Sequence, residues 1–178
     1  MSIIYSIDYN SGKQVLTVPK TTPAAAIWEG QLVFKSATGL GFEIANSTTP
    51  AGTRCFFVAR DSPAGCPHLS VVLTGIVRGV FASAAALATY NSNLLSYTQT
   101  GYKPCTLTPS GLINTAGTPN AYAVGQVRMQ NGTRTLDVIK NYGVGIVNTS
   151  KEIIIEKVTE PAVLALSPTA VYAYVLVR

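Results

Sequence analysis

Residues 69–81 read LSVVLTGIVRGVF. Valine, isoleucine, leucine and phenylalanine dominate the run, interrupted by Ser70, Thr74, Gly75, Arg78 and Gly79. That composition predicts a strand buried over much of its length. A strand usually spans about five or six residues, so one this long has to bend. A glycine at 75 or 79 is the natural place for a bulge or for close packing. Around this strand the chain keeps the same style, with short β-branched and aromatic runs separated by Gly, Pro, Asn and Ser.

Working outward, residues 53–60, TRCFFVAR, predict a second strong strand, joined to 69–81 by a loop at 61–67 that holds two prolines and a glycine. Strands are also predicted at 3–9, 14–18, 39–45, and at 27–34 with a glycine kink. Asn10-Ser11-Gly12 supplies a turn through which 14–18 can pair back on 3–9. After the central strand, ASAAALATY at 82–90 is the best helix candidate, because alanine has the highest helix propensity and Asn91 with Asn93 can stop it. Further strands are predicted at 94–98, 104–108, 121–130, 134–139, 143–147, 151–158 and 170–177, with a hairpin turn at Asn131-Gly132. In the last of these, Tyr172 and Tyr174 fall on one face and Val171, Ala173, Val175 and Val177 on the other. No amphipathic helices alternate with the strands, which argues against an α/β fold.

The expected fold is therefore mostly β: a sandwich or barrel-like domain of many short antiparallel strands with at most one or two short helices. Residues 1–23 are read as an N-terminal strand or arm. They either fold back on their own domain or lie extended on a neighbouring subunit. Residues 24–178 are read as the β domain, divisible into two lobes at about 24–90 and 91–178.

Of the 178 residues, 47% are hydrophobic and 12% charged. The charged fraction is about half the globular norm. Such a chain either buries much of its surface against copies or a partner, or carries a Ser/Thr/Asn surface. The net charge is +5, but no two of the thirteen basic residues are adjacent. That scatter makes nucleic acid an unexpected partner. No segment reaches the roughly 18 uninterrupted apolar residues of a membrane-spanning helix, so no membrane partner is expected. Met1 to Tyr9 lacks the pattern of a secretory signal.

Catalytic chemistry fails on residue supply. His68 is the sole histidine, and a triad needs a base that titrates near neutrality. Cys55, Cys66 and Cys105 with His68 give a C-x10-C-x-H spacing and a distant third cysteine, which matches no standard zinc site. The acidic residues, Asp61 and Glu152 and Glu156 among them, form no active-site motif, and Thr38-Gly39-Leu40-Gly41 lacks the helix and the third glycine of a phosphate cradle. No catalytic, cofactor-binding or metal-binding residue is assigned, no cofactor is expected, and the chain is read as not an enzyme. Nine tyrosines suit a protein interface or a sugar-binding surface.

Residues 24–81 carry a recognisable rhythm. AAAIWEGQLVF leads through ATGLGFEIANS and a Thr-Pro-Ala-Gly turn into TRCFFVAR, and LSVVLTGIVRGVF closes the unit. This pattern resembles the capsid decoration, or cement, proteins of tailed bacteriophages, over roughly a third of the chain. The resemblance implies a structural virion protein, made in the host cytoplasm and bound to the outside of an icosahedral capsid. It implies a homotrimer at local three-fold positions whose partner is the major capsid protein lattice. The alternatives are a carbohydrate-binding or adhesin-like β module and another virion component of tail or capsid.

Overall fold

The computed structural model describes residues 14–50, 52–92, 103–114, 121–123 and 155–177. Strand exceeds helix by more than three to one in a sandwich-like, mostly β arrangement. In chain order the elements are β1 (Gln14–Pro19), β2 (Leu32–Lys35), β3 (Phe42–Ile44), β4 (Thr53–Phe57), β5 (His68–Phe81) and α1 (Ala84–Ser92). They continue with β6 (Lys103–Leu107), β7 (Ile113–Asn114), β8 (Ala121–Ala123), β9 (Ile155–Lys157), α2 (Pro161–Leu166) and β10 (Val171–Val177).

β5 is the spine of the molecule. Its first half pairs antiparallel with β1, from Pro19↔His68 to Gln14↔Thr74, and its second half pairs antiparallel with β10, from Val177↔Gly75 to Val171↔Phe81. The changeover falls at Gly75, whose φ of 116° suits glycine alone. Register also slips there: Gln14 faces Thr74 while Val15 faces Val72, which leaves Leu73 as the extra residue of a bulge. The bend expected of so long a strand is thus placed by a glycine and a bulge together.

The strand order is β3-β2-β4-β8-β6-β7-β5-β10-β9, with β1 added on β5. β6, β7 and β8, from the second half of the chain, lie between β4 and β5, so both halves share one sheet. Most pairs are antiparallel, but β4 with β8 and β5 with β7 are parallel. The mostly antiparallel pattern expected from the sequence holds, with these two parallel pairings added to it. The reason is connectivity: strands inserted between β4 and β5 enter from a distant part of the chain, not through hairpins.

Two apolar clusters flank the sheet. The larger gathers Leu32, Phe57, Val80, Phe81, Leu87, Leu112 and Ile113 around the middle strands and α1. The smaller holds Val18, Ile27, Val33, Val58, Leu69 and Val71, with Phe42 and Phe56 edge-to-face at 5.8 Å beside it. Isolated bridges Val58↔Val71 and Lys20↔Phe42 wrap β1, β3, β4 and β5 around this second cluster.

The predicted helix forms one or two residues later than its alanine run suggests. Ser83 caps it, its hydroxyl accepting the Ala86 N–H at 3.1 Å. Residues 27–34 are not one kinked strand. Ile27 makes a bridge to Ser62, residues 28–31 form a turn, and β2 begins at Leu32. Gly30 carries φ 84°, and a Cβ there would overlap the Arg78 carbonyl, so the turn seats directly on the β5 backbone. α2 was not anticipated. Pro161 starts it at a position that needs no donor, and Val163 is its buried residue. At the start of β10, Val171, Tyr172 and Ala173 are all buried. Arg78 covers the Tyr172 ring, so both faces are shielded at this end of the strand. The strands predicted at 3–9, 94–98, 134–139 and 143–147, most of 121–130, and the Asn131-Gly132 turn lie outside the described residues.

Candidate interaction surface

β1 stands out for its exposure. Gln14 to Thr17 are all exposed, and only Val18 turns into the second cluster. Successive residues of a strand point to opposite faces, so exposure of Val15 at 41% and Leu16 at 49% means that both faces of this end are open. Among the described residues, β5 is the only strand that pairs with Gln14–Pro19 until Lys20 meets Phe42. Among the described residues, no strand pairs with the opposite edge of β1.

Leu73, the bulge residue on β5, is 38% exposed, and Leu40, in the turn before β3, is 79% exposed. Leu40 sits at the far end of the same strand. Its neighbour Gly41 packs so tightly on Pro19, Lys20 and Thr21 that a Cβ would come within 3.0 Å of their backbone atoms. All four exposed large hydrophobic residues among those described, Val15, Leu16, Leu40 and Leu73, therefore lie on β1 or beside it. None of residues 14–19, 36–42 and 69–77 is Asp, Glu, Lys or Arg.

The patch is held firmly from beneath. Lys20 is 5% exposed, and its Nζ donates to the Ala25 carbonyl at 2.7 Å and the Pro63 carbonyl at 3.0 Å. This pins the 21–26 and 61–67 loops to the end of β1, satisfying a buried ammonium with carbonyl dipoles. Cys66 borders this knot, and its thiol donates to the His68 carbonyl at 3.2 Å. Hydrogen bonding at the His68 backbone, then at the Ser62 hydroxyl, holds the thiol below its ordinary range; burial opposes this, and Lys20 adds the smallest lowering. This lowering arises in a loop.

The residues weighed for chemistry sit on several elements. Cys55 is fully buried on β4, Cys66 is half-buried in the 61–67 loop, and His68 opens β5 at the surface. Cys105 lies on β6. Among the described residues no three of His, Cys, Asp and Glu gather as metal ligands, and no helix is long and apolar enough to cross a membrane.

A polar cleft of about 100 Å³ lies between the 28–31 turn, β5, β10 and the start of α2. Arg78 stacks over the Tyr172 ring at 4.2 Å and meets the Glu29 carboxylate at 3.6 Å, while the Asp61 carboxylate accepts the Glu29 N–H at 2.8 Å. These contacts tie the turn to the sheet. Tyr172 is 7% exposed and lies under Arg78, so this tyrosine does not offer an open ring to a sugar. No family model matches the chain, and no curated protein or solved structure matches it.

Proposed function

We propose that this chain is a structural virion protein that decorates the outside of a tailed-phage capsid and stabilises it, assembling as a trimer that bridges capsid subunits. One observation carries the reading: every exposed large hydrophobic residue among those described collects around the uncharged β1 edge. A surface of that kind is suited to being covered by protein. The low charge of the whole chain and the cement-like rhythm of residues 24–81 support the same reading. A decorating protein needs area and repetition more than a pocket. Three linked contacts raise avidity by on the order of 10² to 10⁴ over one.

The experiment is a co-sedimentation of purified protein with intact tailed-phage capsids, next to a glycan array. Saturable binding to capsids, and capsids that withstand more heat once coated, is the expected result. A protein that ignores capsids and binds glycans belongs instead to the carbohydrate-binding class.

A further inference from the structure

We draw no further inference here: the strongest candidate, the polar cleft that Glu29, Asp61, Arg78, Glu160 and Tyr172 line between the 28–31 turn, β5, β10 and the start of α2, is a cluster of carboxylates around one guanidinium whose contacts tie the turn to the sheet, with no second feature among the described residues that points to a ligand.

Discussion

Arg78 shows how one side chain settles several questions at once. Its planar guanidinium covers Tyr172 and reaches Glu29, so it shields β10 and holds the 28–31 turn. Burial raises the Tyr172 phenol above its usual value near 10, and the charge of Arg78 works against that rise. In an ultraviolet titration Tyr172 should therefore ionise later than a free tyrosine. Arg78→Gln should delay it further, because the opposing charge is gone. The sign for stability follows from linkage: the folded state favours the neutral phenol, so the contribution is whole below pH ~10 and is lost as pH rises through the folded value. Denaturant melts at pH 8 and above pH 10 test this. Cys66 gives a second expectation at this scale. Its lowered, half-exposed thiol should react with iodoacetamide well before buried Cys55, read by peptide mass spectrometry, and Cys66→Ser should leave self-association unchanged.

At the scale of elements, the turn and the helix cap make the sharper tests. Gly30→Ala forces a Cβ into the Arg78 carbonyl at a positive φ. The expected loss is about 1–3 kcal/mol, measured by chemical denaturation. Ser83→Ala removes the hydroxyl that accepts the Ala86 N–H, and about 1 kcal/mol should go with it. The first change acts on the joint between the 28–31 turn and β5, the second only on α1. Their effects should add, since they share no contact partner. Strand identity in the first half was legible because β-branched runs and turn residues agree with each other there. The turn within 27–34 was not, because its cause is Gly30 meeting a strand more than 40 residues away. α2 escaped for a related reason. Its few residues, PAVLAL, are too short for a helical period to show, and the packing of Val163 is what stabilises it.

For the whole molecule, the decorating role predicts a particular response to salt. The basic residues are dispersed, so capsid binding should weaken only mildly as salt rises, measured by co-sedimentation across a salt series. A steep loss of binding would instead mark a phosphate-contacting surface. Thermal melts should also depend on protein concentration, because an assembly that forms only from folded copies stabilises them by mass action.

The sequence by itself determined the class of fold, the central strand at 69–81 with its bend, the helix after it, and the poverty of catalytic residue types. These are local properties, readable from the period, composition and turn chemistry of a few neighbouring residues. Only the tertiary structure decided the order of the strands, the insertion of β6 to β8 between β4 and β5, and the two parallel pairings. It alone singled out β1. QVLTV looks no more exposed in sequence than FFVAR, and both are apolar enough to be buried. What separates them is the number of neighbours each receives. β4 has strands on both sides, β2 and β8, whereas Gln14 to Thr17 are paired on one side among the described residues and left open to solvent on both faces. Burial depends on contacts between residues far apart in the chain, and no local pattern encodes which of several similar strands will stand at the rim.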